Sequence, residues 1–293
     1  MRSLLFLPGN NPNMLINAPY LGADAVIFDL EDAVSPDEKD AARILVRNTI
    51  KYTDLGGAEV IVRTNPSDTE YFKKDIDTVL PCKPGYILLP KTSTSKDVLR
   101  ADEYMTEVEK RCGIKEGSVG LIALIETALG VEMAYDIAIS TERIRALFLG
   151  AEDLTADLRC KRTKEGREIE YSRCRLVSCA RAAGIDVYDT PFTDVNDDEG
   201  IYADAETAKA LGFTGKAAIS PRHVGAINEV FSPTPEEIEY AYEVMEAIEI
   251  AKSQGKGAIA LRGKMIDAPI VARAMRTIDE AKNLGIERSA CSE

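Results

Sequence analysis

The chain has 293 residues, 45% of them hydrophobic, enough for one large domain or two ordinary ones with a sizeable core. Thirty-six basic side chains against 49 acidic ones give a net charge of −13, which argues against general affinity for nucleic acid or anionic membranes, so an anionic substrate must meet locally placed cations or a metal. Six cysteines without CxxC or paired spacing read as reduced thiols of a cytoplasmic protein, and the single histidine, His223, weakens any triad or multi-histidine metal site.

The opening MRSLLFLPGNN breaks at Pro8-Gly9 before it reaches the length of a signal-peptide core, and no later run approaches the roughly 18 apolar residues of a membrane span. Short apolar, β-branched runs then recur at residues 2–7, 25–30, 60–64, 86–90, 119–126, 146–151, 185–189 and 216–220. Stretches of helical period lie between them. One helix is expected over about 37–52, behind Ser35-Pro36 as N-cap and first-turn pair, and another over 171–183, stopped by Gly184. Eight such units, with no GxGxxG after the first strand, predict an α/β fold, a (β/α)8 TIM barrel over residues 1–230; an open doubly wound sheet is the alternative. Residues 231–293 read as a C-terminal helical extension: a helix in SPTPEEIEYAYEVMEAIEIAKSQG ending at Gly255, the glycine-bounded KGAIALRGKMIDAP, and a last helix over about 269–284. Eight strands already close a barrel, so this tail is expected to be an appendage that covers a neighbouring subunit's site.

Three of the runs end on acids. GLIALIE ends on Glu126, RALFLGAED on Glu152 and Asp153, and AVIFDLED on Asp29, Glu31 and Asp32. Barrel active sites form where strands end, and side chains alternate along a strand. Counting by twos places Gly120, Ile122, Leu124 and Glu126 on one inward face, Leu147, Leu149, Ala151 and Asp153 on the next, and Ile27, Asp29 and Glu31 on that of the second strand. Glu126 and Asp153 would then face each other as two carboxylate ligands of Mg²⁺, with Glu31 and Asp32 accepting from its waters. Such acids also serve as helix N-caps or solvated loop residues, and AED before Leu154 suits a cap; three strands ending this way weaken the coincidence. Arg63 ends the third run and Lys91 the fourth, cations suited to a substrate carboxylate or an enolate oxygen, unless Arg63 merely neutralises Asp29 or Glu31. The backbone amides of Gly150, Ala151, Glu152 and Asp153 would add anion donors if they open a helix. Metal, arginine and carboxylates without a nucleophile or histidine base suggest enolate chemistry that makes or breaks a carbon–carbon bond beside a carbonyl.

The segments RSLLFLPGNNPNML, FDLEDAV followed by EKDAAR, VRTN, ALIETALGV, LGAEDLTADL and GKMIDAPIVARA, in order from Arg2 to about Lys282, resemble the citrate lyase/malyl-CoA lyase (HpcH/HpaI aldolase) family, citrate lyase β subunits in particular. The resemblance implies Mg²⁺-dependent cleavage of a citryl thioester, carried on coenzyme A or an acyl carrier protein, to oxaloacetate and an acetyl thioester, with Mn²⁺ a possible substitute. It implies Glu126 and Asp153 as metal ligands, Glu31 and Asp32 around the metal's waters, and Arg63 on the oxaloacetate end. It implies Asp267 as the acid/base reaching over from a neighbouring subunit, although that residue alone reads as an N-cap before APIVARAM. A homotrimer or hexamer, a carrier protein and a CoA-transferase subunit as partners follow from the resemblance alone. Arg2, Lys39 and Lys91 are candidates for the carrier phosphates. Many relatives have His-Pro or Asn-Pro after the eighth strand where this chain has Ser220-Pro221, which bears on fine specificity at that edge. The rivals are a stand-alone lyase for malyl-, methylmalyl- or citramalyl-CoA, a class II aldolase leaning on His223, and a non-catalytic thioester-binding scaffold.

Overall fold

The computed structural model describes residues 1–253 and 259–288. The chain divides into two compact units, Met1–Phe231 and Ser232–Glu293. In the first, β1 (Ser3–Pro8), β2 (Ala25–Asp29), β3 (Glu59–Arg63), β4 (Tyr86–Leu89), β5 (Gly120–Ile125), β6 (Ile144–Leu149), β7 (Asp186–Asp189) and β8 (Gly215–Ala218) pair in parallel and close on themselves, β1 bonding to β8. This is the expected TIM barrel, and the open sheet is excluded. Among the described residues no helix is long and apolar enough to cross a membrane.

The period-2 pattern builds two apolar layers. Leu4, Ile27, Ile61, Leu88, Ile122, Leu124, Phe148 and Tyr188 fill the barrel interior, while their neighbours Leu5, Val26, Val62, Ile87 and Leu121 face out against the helices. The helix Lys39–Tyr52 meets that outer layer through Ala42 and Val46, and Ser95–Cys112 through Val98, Ala101 and Met105. Gly120 is fixed by packing: a Cβ there would lie 2.6 Å from the Tyr86 ring, which packs against the barrel interior. The helix expected from residue 37 starts at Lys39, because Pro36–Glu38 forms a separate 3₁₀ turn that Ser35 does not cap with its side chain.

One face assignment fails. On β6 the inward residues are Ala146 and Phe148, and Leu147, Leu149 and Ala151 face the helices. Pairing with β5 jumps from Leu121↔Ile144 to Ile122↔Ala146, a bulge at Arg145 that lies before the counted residues; the count itself fails because period two ends where a helix begins after Gly150.

Four charges are buried beneath the C-terminal ends of β7 and β8. Arg173, from the helix Glu170–Ala183, donates to both oxygens of Asp189 at 3.0 and 2.8 Å and to Asp204 at 2.7 Å. Lys216 Nζ lies 2.6 Å from each of Asp189 and Asp204 and donates to the Thr190 carbonyl at 2.7 Å. All four are at most 7% exposed, and two cations match two anions.

The second unit has a helix Pro235–Ser253, a hairpin of β9 (Ile259–Leu261) and β10 (Lys264–Ile266), and a helix Ala268–Asn283, packed through Ala241, Val244, Ile266, Ala274 and Ile278. The hairpin was not expected from the sequence. Its turn places Arg262 and Gly263 at positive φ, without the Asn-Gly or Asp-Gly that marks such turns. The expected helix stop at Gly255 lies outside the described residues.

Candidate active site

The strand ends of the barrel surround a cavity of about 290 Å³ lined by Asp29, Asp32, Arg63, Glu126, Gly150, Ala151, Glu152 and Asp153, with Phe6, Leu124 and Phe148 as its apolar floor. Arg63 projects from the last position of β3, on the inward face it shares with Ile61. Asp29, on the neighbouring strand and in register with it, takes Arg63 Nε at 2.7 Å and Nη2 at 2.6 Å in a bidentate pair. The same carboxylate accepts the main-chain N–H groups of Glu31 at 2.8 Å and Ala33 at 3.1 Å, so one acid sets both the guanidinium and the loop after β2. Phe6 lies beneath, its ring centre 5.1 Å from the guanidinium carbon. Burial alone would lower the Arg63 pKa; the hydrogen bonds and charge of Asp29 hold it above the ordinary value.

The β2 loop is braced from below. Lys39 Nζ is buried and donates to the carbonyls of Leu30 and Glu31 at 2.9 and 3.0 Å, and Asn65 donates to the Leu30 carbonyl and to buried Asp75. Glu31 is 4% exposed, and among the described residues neither of its oxygens has an aligned hydrogen bond; it faces Arg63 Nη1 at 3.2 Å and Lys91 Nζ at 3.1 Å. Burial raises its pKa, against the pull of Arg63. Asp32, half exposed, lies 3.7 Å from Arg63 and 3.8 Å from Lys91.

Glu126 follows β5 and is 3% exposed, with Oε1 accepting the Lys91 N–H at 2.6 Å. Burial, then the charge of Glu31, then that of Asp153 push its carboxyl up to about 8, the Lys91 N–H opposing them. Gly150, the last residue before the helix Ala151–Asp157, leaves room for it: a Cβ there would lie 2.7 Å from Glu126 Oε2. The first turn of that helix swings Asp153 to the cavity, exposed and without a side-chain hydrogen bond or ion pair among the described residues. Among the described residues no three acidic, histidine or cysteine side chains form a metal cage. The donor set therefore suits a hard cation that takes two carboxylates and fills its remaining positions with oxygen from water or substrate. A buried acid held up to about 8 and the orphaned oxygens of Glu31 are the signature of an anionic cluster short of positive charge.

Of the residues singled out in the sequence, Glu31, Asp32, Arg63, Glu126, Gly150, Ala151, Glu152 and Asp153 come together at this end of the barrel. The amides of Gly150 and Ala151 are not free anion donors, because they bond to the Ile125 carbonyl and, at 3.2 Å, to Thr190 Oγ1. Asp267 belongs to the second unit, where it is the exposed N-cap of Ala268–Asn283 and accepts the Ile270 N–H at 3.2 Å. Arg2 lies at the N-terminal end of β1, paired with Asp24, and Lys39 is spent on buried carbonyls, so neither is a phosphate contact at the mouth. His223 is fully buried against Phe192, does not line the cavity and is held neutral by burial, which removes the basis for an aldolase built on it. Sequence reasoning passed over Phe6, Thr190 and the brace of Lys39 and Asn65. Phe6 was legible in the alternation of β1, whereas the brace is made to main-chain carbonyls, by Asn65 from 35 residues away and by Lys39 from 8 and 9, and such contacts leave no residue pattern.

A family model described as HpcH/HpaI aldolase/citrate lyase matches residues 2–221. The chain is 41% identical to the citrate lyase subunit beta of Haemophilus influenzae over 96% of this chain and 97% of that one. It is 42% identical to the citrate lyase subunit beta of Leuconostoc mesenteroides over 94% and 92%. Among solved structures it is similar to CitE from Mycobacterium tuberculosis in complex with magnesium, acetoacetate and coenzyme A, with a TM-score of 0.78 and 28% identity over 96% of this chain and 98% of that one. By sequence and by fold, the chain belongs to the HpcH/HpaI aldolase/citrate lyase family.

Proposed function

We propose that the protein is a Mg²⁺-dependent carbon–carbon lyase that cleaves a citryl thioester to oxaloacetate and an acetyl thioester. The observation that carries the reading is the cavity itself: buried Glu126 and unpaired Asp153 face the same space as a guanidinium fixed by Asp29. Glu126 and Asp153 would hold Mg²⁺, or Mn²⁺ in its place, with Glu31 and Asp32 turned toward its waters. When bound, the cation supplies Lewis-acid stabilisation of charge on the oxygens of the cleaved hydroxy acid.

The chain's own residues do the rest. Arg63, preset by Asp29 and Phe6, binds a carboxylate of the oxaloacetate end and stabilises developing negative charge. Glu31 or a water beside it takes the tertiary hydroxyl proton. The bond between the carbinol carbon and the thioester methylene then breaks, its electron pair passing into the thioester enolate as the hydroxyl becomes the ketone of oxaloacetate. Asp267 returns a proton to the methylene carbon, giving the acetyl thioester; this step places Asp267 of a neighbouring copy in the site, within a homo-oligomer such as a trimer or hexamer. The apolar floor of Phe6, Leu124 and Phe148 excludes water from the enolate.

Identity above 40% to citrate lyase β subunits supports a place beside a carrier protein and a CoA-transferase subunit in the cytoplasm. The test is Mg²⁺-dependent release of oxaloacetate from citryl-CoA and citryl-carrier thioesters, coupled to malate dehydrogenase, in wild type, Asp153→Ala and Asp267→Asn. Turnover lost in both variants is expected. Wild-type turnover of malyl- or citramalyl-CoA instead would reassign the substrate, and binding of thioesters without any turnover would make the protein a scaffold.

A further inference from the structure

Lys91 follows β4 with φ of +51°, in the left-handed region that glycine occupies without strain and lysine does not. Two of its groups reach acids from two other strands. Its main-chain N–H donates to Glu126 Oε1 at 2.6 Å, and its ammonium lies 3.1 Å from Glu31 Oε1 and 3.8 Å from Asp32 Oδ1. The first contact needs no side chain, so a glycine would make it at less cost; what lysine adds is a cation against Glu31. Among the described residues the other cation within ion-pair distance of that carboxylate is Arg63, whose Nε and Nη2 belong to Asp29, and neither of its oxygens has an aligned hydrogen bond. The Lys91 side chain is 46% exposed and that of Glu31 is 5%, so the ammonium closes the solvent side of a buried acid.

We propose that Lys91 is a positioning residue that fixes both acids flanking the metal position, Glu126 through its main-chain N–H and Glu31 through its ammonium; the assignment rests on the lyase reading above. One consequence separates this role from plain structural support. The ammonium stands among the carboxylates that attract the divalent cation, so removing it leaves Glu126 and Asp153 in place and strengthens their field, while Glu31 keeps Arg63 as its cation and loses the one on its solvent side.

The experiment compares Lys91→Met, Lys91→Gly and Lys91→Arg by calorimetric Mg²⁺ titration, thermal unfolding and oxaloacetate release. Methionine and glycine are expected to tighten Mg²⁺ binding by about 3- to 10-fold, since one positive charge has left the cluster. They are expected to lower kcat by about 10-fold as Glu31 moves out of place. Arginine should restore both values toward wild type. Metal affinity and turnover unchanged in Lys91→Met, or metal affinity falling in step with melting temperature, would overturn the proposal. If wild type cleaves none of the thioesters, the lyase reading fails separately. The pairing is then decided by a thermal cycle of Lys91→Met, Glu31→Gln and the double variant without metal, where additive changes in stability overturn it and non-additive ones support it.

Discussion

Two acids two residues apart, Asp29 and Glu31, are expected to respond to the same substitution with opposite signs. Asp29 accepts four N–H donors, two from Arg63 and two from the main chain, each oxygen taking one of each kind. In Asp29→Asn the amide nitrogen must face two of these donors, losing one bond to a charged group and one to the backbone and leaving Arg63 without its bidentate partner, with Glu31 at 3.2 Å and Asp32 at 3.7 Å as the remaining acids. At about 1.5–3 kcal/mol for the first and about 1 kcal/mol for the second, the loss reaches about 3–5 kcal/mol once the weakened pairing of the buried guanidinium is included, in the range for breaking a buried pair. In a unit of this size that corresponds to a fall of roughly 6–20 °C in melting temperature, measured by circular dichroism. Glu31→Gln removes a buried charge that has no aligned hydrogen bond and whose pKa burial raises, so at pH 8 it should leave stability unchanged or increase it by about 0.5–1 kcal/mol. Asp29→Asn melting within a degree or two of wild type, or Glu31→Gln losing as much as Asp29→Asn, would refute this account of the site.

The metal-free protein should lose stability as pH rises from about 4.5 to about 8, because Glu126 binds its proton more tightly folded than unfolded, an advantage that disappears as pH passes the folded value. Mg²⁺ replaces that proton, so the Mg²⁺-induced rise in melting temperature should be larger at pH 8 than at pH 6; equal rises would contradict the assignment of Glu126 to the metal. Gly150→Ala places a methyl 2.7 Å from Glu126 Oε2 and should weaken Mg²⁺ binding by at least about 10-fold with little change in overall fold, read by calorimetry and circular dichroism. Lys216→Met leaves Asp189 and Asp204 with Arg173 alone and should cost about 3–5 kcal/mol in urea unfolding; a loss below about 1 kcal/mol would mean that the buried cluster relaxes around the gap.

The barrel was legible because short, mostly apolar runs recur between stretches of helical period, and every expected run contains or overlaps an observed strand. Alternation also placed Ile61 with Arg63 and Leu124 with Glu126 correctly. It failed on β6, where the helix after Gly150 breaks the count, so Asp153 reaches the cavity through a helical turn and not along a strand face. Lys39 illustrates a second limit: a lysine in an acidic chain reads as a surface cation, and only packing shows it buried against two carbonyls. The positive φ of Lys91 and the Arg-Gly turn of the hairpin have no residue signature, because a residue other than glycine, asparagine or aspartate takes that conformation under tertiary constraint.

The buried quartet of Arg173, Asp189, Asp204 and Lys216 bears on how the barrel closes as it folds. Its members come from two strands and two helices, and any partly formed state that desolvates one of them without its partners strands a charge away from water. Partial docking of this quarter is therefore disfavoured, and β7, β8 and their two helices should join the barrel in a single step. Native-state hydrogen exchange should then show the protected amides of Val187, Tyr188, Lys216 and Ala217 opening with one shared free energy, as a single cooperative unit that seals the cylinder.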